Sequence, residues 1–471
     1  MKKKIFAIFI TILLLVALPS CAGILVPPEG LMRPPTPRGV SAEILAAFER
    51  EVGAGYRLRF ERGGNHTSVL TYDLTGNGNL NAAIFYSLLD EGDALRIHIL
   101  EQNGNEWNSI YDKSTAGLGV ERIEIGYIIG NDTPSLVVGK TSLLDNQRIL
   151  TVFNFERGVL HENFTANYME FYVADIDRDG LDNVIFMQYD AENSFIDAQV
   201  AGLDEYDSQI YIKYSAVVDS EVSAFIGVQS APISSMPGYY SPTDMIGIYF
   251  DAVKADGRII TELLYIPPYN YDEGYVIYQQ NLHAPFTDVL TRINTATERR
   301  NTRHSADISG NGQIAIPIDT MFAGSEDMYK TGWHVYYRGQ LTNVLNSYVD
   351  RFGFMFDLEN LVFDNLTINI AINEETRERV FSVFDVESQL RGRELFRIIL
   401  TTETWWQENS NEVDLYEIGW FQNVVFLVQM VDNEPHGDGF DITIADIQQR
   451  FALFHDTTNT SHLNFDNAQG D

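Results

Sequence analysis

One local pattern recurs along this chain and constrains its fold more than any other feature. It is a polar loop of Asp, Asn and Gly that runs without a break into an apolar strand. Three copies align: Asp73-Leu-Thr-Gly-Asn-Gly-Asn-Leu-Asn81 before Ala82, Asp175-Ile-Asp-Arg-Asp-Gly-Leu-Asp-Asn183 before Val184, and Asp307-Ile-Ser-Gly-Asn-Gly-Gln-Ile-Ala315 before Ile316. Two eroded copies, at 130–136 and 241–246, keep the loop-to-strand step and lose most of the acids. Self-similarity of this kind predicts stacked β units rather than one continuous sheet. Hairpin signals follow the loops. Turn residues at Asn103-Gly104, Arg157-Gly158, Asp256-Gly257 and Arg338-Gly339 are each flanked by alternating or β-rich runs, with a less clear turn near Gly202. A unit of roughly 50 residues with insertions fits these positions, a length that suits a four-stranded propeller blade.

The flanks read differently. Ser41 is placed to cap a short amphipathic helix over residues 41–55, with Ile44, Leu45, Phe48 and Val52 on one face and Gly53 and Gly55 ending it. Beyond residue 345 the pattern changes. Leu366, Ile368, Ile370 and Ile372 alternate with polar and small residues, and Val380–Phe384 and Leu395–Leu400 give two further strands. Val424–Met430 is a continuous apolar run suited to a central strand, and Thr443–Phe454 is patterned as an amphipathic helix. Residues 456–471 form a polar tail.

The N-terminus is an address. Lys2, Lys3 and Lys4 precede the apolar run Ile5–Ala17, which is the layout of a secretory signal and too short for a comfortable membrane span. Leu18-Pro19-Ser20-Cys21 then resembles the bacterial lipobox, although Pro19 departs from the usual choice there. The resemblance implies that residues 1–20 are removed and that Cys21 is lipidated, becoming the new N-terminus. Cys21 is the only cysteine, so it has no intramolecular disulfide partner. Residues 21–40, with Pro27, Pro28, Pro34, Pro35 and Pro37, form an extended spacer. The expected location is the extracytoplasmic face of the cell membrane, with the bilayer as partner through a two-chain anchor. Thirty-two basic against 66 acidic residues give a net charge of −34, which repels phosphate polymers and argues against nucleic acid as a partner. A hydrophobic content of 45 % is enough to build sizeable cores.

The Asp-x-Asp-x-Asp-Gly loop followed by an apolar strand resembles the FG-GAP or VCBS-type repeat of integrin-like β-propellers. That resemblance spans residues 56–345 and implies an irregular propeller of roughly five to seven blades, with calcium held by a loop between the first two strands of a blade. Residues 346–455 more loosely resemble the small C-terminal α+β domain of clostridial-type surface lipoproteins. The fold class expected is therefore mainly β, a propeller followed by an α+β domain.

Chemistry concentrates in the loop at 175–183. Calcium takes six to eight oxygens, and acids at alternate positions on a tight loop converge on one point. Asp175, Asp177 and Asp179 are the expected carboxylate ligands, with Asn183 as a further one. Asp182 stands where the family has an apolar residue or proline, so either it supplies the last ligand or the register is shifted by one. A polar turn without an ion is the competing reading, because Asp and Gly form turns on their own account. The loop at 73–81 offers Asp73, Thr75, Asn77 and Asn81, with only one carboxylate and hence weak occupancy. At 307–315, Asp307, Ser309 and Asn311 remain, and Ala315 removes the final ligand.

Catalytic motifs are missing from the sequence. It has no zinc-type His spacing, no Gly-x-Ser-x-Gly elbow and no phosphate loop with its Lys. His436-Gly-Asp-Gly-Phe-Asp441 reads as a connecting loop, with Asp441 placed to cap the last helix. The aromatic groups Tyr239-Tyr240, Pro267–Tyr271 and Trp405-Trp406 are expected in loops, where they pack between blades or stack on a sugar. The expected function is binding or scaffolding without catalysis, directed at a surface protein or glycan. The alternatives are an envelope polysaccharide or peptidoglycan hydrolase, with two carboxylates in the propeller funnel, and a solute receptor, disfavoured by the scarcity of helix.

Overall fold

The computed structural model describes residues 40–453, apart from residues 60–68, 91, 93, 143–146, 193, 205–207, 220, 234–244, 267–294, 301–302, 326, 338–339, 360–364, 374, 412–413, 432–435 and 438–439. Cys21, Tyr239, Tyr240 and residues 267–271 lie outside the described residues, as does the turn Arg338-Gly339.

The chain is mainly β, in antiparallel sheets taken up in sequence order. Helix α1 (Val40–Val52) leads into a sheet of β1 (Tyr56–Leu58), β2 (Val69–Tyr72), β3 (Asn81–Leu88), β4 (Arg96–Asn103) and β5 (Glu106–Ser114), ordered β1-β3-β4-β5 with β2 also on β3. The second sheet is β6 (Gly119–Gly126), β7 (Ser135–Thr141), β8 (Arg148–Glu156) and β9 (Val159–Asn167) in simple order. The third repeats that meander with β10 (Glu170–Ala174), β11 (Asn183–Asp190), β12 (Phe195–Leu203) and β13 (Ile210–Val218). The fourth has β14 (Val222–Ile233), β15 (Met245–Lys254) and β16 (Ile259–Tyr265). The fifth runs through β17 (Ala315–Met321), β18 (Tyr329–Tyr337), β19 (Gln340–Asp350) and β20 (Phe354–Asp357). The sixth joins β21 (Leu366–Ile372), β22 (Thr376–Asp385), β23 (Leu390–Thr402), β25 (Val424–Met430) and β24 (Leu415–Phe421) in that order. Helix α2 (Glu403–Asn409) links β23 to β24, and α3 (Ile444–Arg450) precedes β26 (Phe451–Leu453), which returns to pair with β20.

Meanders arise because the turns are short and chemically suited to them. Asn103 pairs with Glu106 across Gly104, whose φ is 63°. Arg157 and Gly158 both take positive φ, 52° and 80°, as a two-residue hairpin turn requires.

Among the described residues two compact units emerge, one of those up to Arg122 with 140–142 and Phe155–Leu160, the other of the remaining described residues. In the first, α1 buries Ile44, Ala47 and Phe48 against Ala82, Ile84, Tyr86, Leu100 and Trp107. The Phe48 ring meets Tyr56 and Tyr86 edge-on, with centroids 4.9 and 5.0 Å away. Complete burial of one such ring contributes about 1.5–3 kcal/mol. In the second unit each sheet packs on the next. Val137, Leu150 and Val152 meet Phe171, Val184 and Phe186. Ile185, Met187 and Val200 meet Ile248, Phe250 and Ile260. Tyr249 and Leu263 meet Ile316 and Tyr336. Tyr348, Phe354 and Phe356 meet Phe381, Phe396 and Phe426.

Several expectations shift. Helix α1 spans Val40–Val52, so Ser41 lies within its first turn and does not cap it, while Gly53 (φ 80°) ends it as expected. The break expected at 345/346 falls inside β19, a continuous strand, and the core on both sides of it is shared. The last helix stops at Arg450 because Phe451 turns extended (φ −86°, ψ 129°) and joins the fifth sheet. Its cap is Thr443, in a reciprocal box with Asp446, and not Asp441. Asp441 instead accepts from the backbone N–H of His436 (2.7 Å) and Gly437 (2.8 Å). Trp405 and Trp406 lie in α2 rather than in a loop, because Thr402 caps a helical turn there, and both pack on Ile399, Leu415, Val425 and Leu427.

Candidate metal centre

The three aligned loops share one hydrogen-bonded frame. In each, the first Asp accepts through Oδ2 from the backbone N–H five residues on: Asp73 from Gly78 (2.8 Å), Asp175 from Gly180 (3.1 Å) and Asp307 from Gly312 (2.7 Å). The fifth loop residue then accepts from the N–H two residues on: Asn77 from Asn79 (2.8 Å), Asp179 from Leu181 (2.9 Å) and Asn311 from Gln313 (2.9 Å). Such Asx turns are what Asp and Asn do locally. The frame needs positive φ at the fourth and sixth positions, supplied by Gly76 and Gly78 (67° and 85°) and by Gly310 and Gly312 (68° and 83°). In the middle loop the fourth position is Arg178, at φ 62°, followed by Gly180 at 90°.

Asn81 and Asn183 close the first two loops in the same way. Asn81 Oδ1 accepts from Leu74 N–H at 2.8 Å, and Asn183 Oδ1 from Ile176 N–H at 3.1 Å. Each oxygen thus ties the end of its loop to the backbone near its start. Asp182 is turned elsewhere. Its Oδ2 accepts from Tyr127 N–H at 2.7 Å and its own N–H donates to Tyr127 O at 2.9 Å, which ties the loop to the β6–β7 connection. Asp182 is not among the carboxylates that converge in this loop.

Asp175, Asp177 and Asp179 do converge. One oxygen of each lies within 4.8 Å of the others, the only group of three or more such side chains among the described residues, and it could hold a metal ion. Oδ1 of Asp175 and Oδ1 of Asp177 are buried without a hydrogen-bond partner. Burial, with the neighbouring charges of Asp177 and Asp179, raises the Asp175 carboxyl above its ordinary range, against the backbone hydrogen bonds that lower it.

A cation is already present. Lys213, on β13, places its Nζ 2.6 Å from Asp177 Oδ2 and 2.7 Å from Asp179 Oδ2. Burial works against the ammonium, yet the two hydrogen-bonded carboxylates outweigh it and hold the Lys213 pKa above its usual value. Gly202, on β12, makes room for the lysine stem: a Cβ there would stand 2.8 Å from Lys213 Cδ and 2.6 Å from Asn183 Nδ2. The sequence reading missed Lys213, which lies 36 positions beyond Asp177 and has no local motif.

The loop at 73–81 is filled differently. Glu101, on β4 opposite Asn81, accepts from Asn77 Nδ2 at 2.8 Å. Asn77 Oδ1 is taken by Asn79 N–H, and Thr75 Oγ1 reaches Asp73 Oδ1 at 3.4 Å. Asp73, Thr75, Asn77 and Asn81 therefore satisfy one another and the backbone. At 307–315 the N–H groups of Ser309 and Asn311 also point at Asp307 Oδ1, 3.3 and 3.2 Å away.

No family model and no curated protein matches the chain. Among solved structures it is similar to the exotype rhamnogalacturonan lyase YesX, at 10 % identity and a TM-score of 0.29 over 79 % of this chain and 62 % of that one. It is similar to the rhamnogalacturonan lyase YesW, at 12 % identity and 0.30 over 72 % and 60 %. Sqt1 of Chaetomium thermophilum matches at 10 % identity and 0.32, over 82 % of this chain and 99 % of that one. The chain thus spans less than two thirds of either lyase, and scores of this size define no class for it.

Proposed function

We propose that this protein is an extracytoplasmic binding module, tethered by lipid at Cys21, whose successive antiparallel sheets are blades of an irregular β-propeller. The blades present their connecting loops to a surface protein or a glycan, and the protein carries out no catalysis. The observation that supports this reading is the recurrence of one hydrogen-bonded loop frame immediately before β3, β11 and β17, strands of three different sheets. Loops held by their own hydrogen bonds lose little entropy on binding, which favours recognition by a preformed surface. The serial face-to-face packing of sheets in the second unit agrees with blades. Calcium is the cation proposed for the 175–183 loop, where hard carboxylate oxygens match its chemistry.

The test is retention of a ligand from solubilised envelope of the same cell on the immobilised full chain in detergent, with calcium and with chelator. Retention of a defined protein or glycan is the expected result, and comparison of the two arms reads how far calcium contributes to it. Recovery of nothing in either arm, or release of shortened polysaccharide, would overturn the reading, the latter in favour of a hydrolase.

A further inference from the structure

The carboxylate cluster raises a question that the loop sequence alone does not pose. Three acids within 4.8 Å repel one another strongly at the reduced effective dielectric of a partly buried site, so something must neutralise them. In the related loop at 73–81 the acids are thinned to Asp73 and the interior is knitted by amides. The middle loop keeps all three acids and draws an ammonium from the far strand of its own sheet.

We infer that Lys213 is a tethered counter-ion occupying the cation position of the 175–183 loop, so that the loop keeps its shape without calcium and calcium enters only by expelling the lysine. The inference rests on the calcium reading of that loop and deepens it.

Three independent features place the lysine there. Its Nζ contacts two of the three carboxylates at hydrogen-bond distance, as a bound ion would. The Asp177 side chain is only 8 % exposed, and its second oxygen, Oδ1, is buried without a partner. That oxygen and Asp175 Oδ1 are ligand capacity which a single ammonium, with three donors, leaves unused and which a hard divalent ion with six to eight ligands would use. Finally, Gly202 gives the lysine stem its channel, since any Cβ at that position would press on Lys213 Cδ.

Calcium must therefore break two charge-assisted bonds before it is bound. That exchange sets wild-type affinity low, in the range of extracellular modules at roughly 10⁻⁴–10⁻³ M. Once expelled, the 25 % exposed lysine has water within reach.

The experiment uses the full chain in detergent, comparing wild type with Lys213→Met and Lys213→Arg by calorimetric calcium titration and by melting in calcium and in chelator. Lys213→Met removes the charge and keeps the stem. It should bind calcium at least about tenfold more tightly than wild type, because affinity scales with the net ligand charge. It should also melt lower in chelator and recover in calcium, whereas wild type shifts little between the two. Lys213→Arg keeps the positive charge and should bind no more tightly than wild type. If Lys213→Met fails to fold without calcium and folds with it, the inference stands; failure to fold in both conditions overturns it. Equal, measurable affinity of wild type and Lys213→Met would overturn the role of Lys213 and leave the calcium site. Absence of binding by all three proteins at 10-millimolar calcium, an order above the roughly millimolar class limit, would overturn both.

Discussion

Asp350 joins the fifth and sixth sheets through an ion pair buried on both sides. Its carboxylate accepts from Arg379 on β22, with Nε to Oδ2 and with Nη2 to Oδ1 at 3.2 Å. It also accepts from the Tyr348 hydroxyl at 2.6 Å and from Phe352 N–H at 2.9 Å. Both side chains are 1 % exposed, and the Arg379 guanidinium lies 5.5 Å from the Phe352 ring centroid. Burial pushes the Tyr348 hydroxyl pKa well up, with the Asp350 charge adding to it, so the tyrosine remains a donor. Asp350→Asn keeps the shape, removes the charge and puts an amide N–H₂ against groups that are themselves donors. Arg379 is then an uncompensated buried cation, which costs about 3–5 kcal/mol. At about 2–4 °C per kcal/mol for a large domain, melting should fall by roughly 6–20 °C. Scanning calorimetry of wild type, Asp350→Asn, Arg379→Met and the double variant measures this. The double variant should lose less than the sum of the single ones, because its remaining partner is no longer charged. A loss below about 1 kcal/mol for Asp350→Asn is the value of a solvated pair and would refute the argument that this junction is dry.

Two other perturbations follow from packing and charge. Asp112 on β5 meets Arg96 (3.3 Å), His98 (3.6 Å) and the Tyr86 hydroxyl (2.8 Å). Burial alone would raise its carboxyl, but these hydrogen bonds and the Arg96 charge hold it below the ordinary range. A depressed acid gives stability that is complete above its unfolded pKa of about 3.9 and is lost as pH falls through the lower folded value. The first unit should therefore weaken below about pH 4, and Asp112→Asn should flatten that slope; limited proteolysis with mapped cuts between pH 5 and 2 (a range of about the carboxylate titration) reads it, and an unchanged slope counts against the assignment. Gly139→Ala on β7 would set a Cβ 2.3 Å from the Tyr168 hydroxyl and 2.8 Å from Phe171 Cε1. The expected loss is about 1–3 kcal/mol in thermal melting, and a change under about 0.5 kcal/mol would mean the two sheets separate easily.

Local chemistry made the loop frame legible in the sequence. Asp and Asn at fixed offsets, with glycine where φ must be positive, specify an Asx-turned loop without reference to anything distant. The apolar run Val424–Met430 likewise announced an interior strand, and β25 lies between β23 and β24. What was hidden depended on partners far along the chain. Asp182 looks like a ligand until Tyr127, 55 positions away, claims its oxygen. Lys213 is one residue of an alternating strand until β13 aligns and brings it to Asp177. The break expected at 345/346 followed a change of composition, whereas β19 runs through it because its two halves pair with β18 and β20 in turn. Trp405 and Trp406 carried no helical period, and a Thr402 cap with two packed indoles was enough to fix a short helix.

The return of β26 to β20 bears on the order in which the chain can fold. Phe354 pairs with Leu453 about 100 residues later, while the second, third and fourth sheets pair strands consecutive in sequence. Sheets of the local kind can form as the chain emerges from its N-terminal end. The fifth has to wait with one edge open until Phe451–Leu453 arrive. In that interval Phe354, whose ring later stacks on Phe451 at 5.3 Å, still lacks its cover. A chain released early would keep most of its sheets and present an unpaired edge, which makes β26 the part of the fold that guards against aggregation during synthesis.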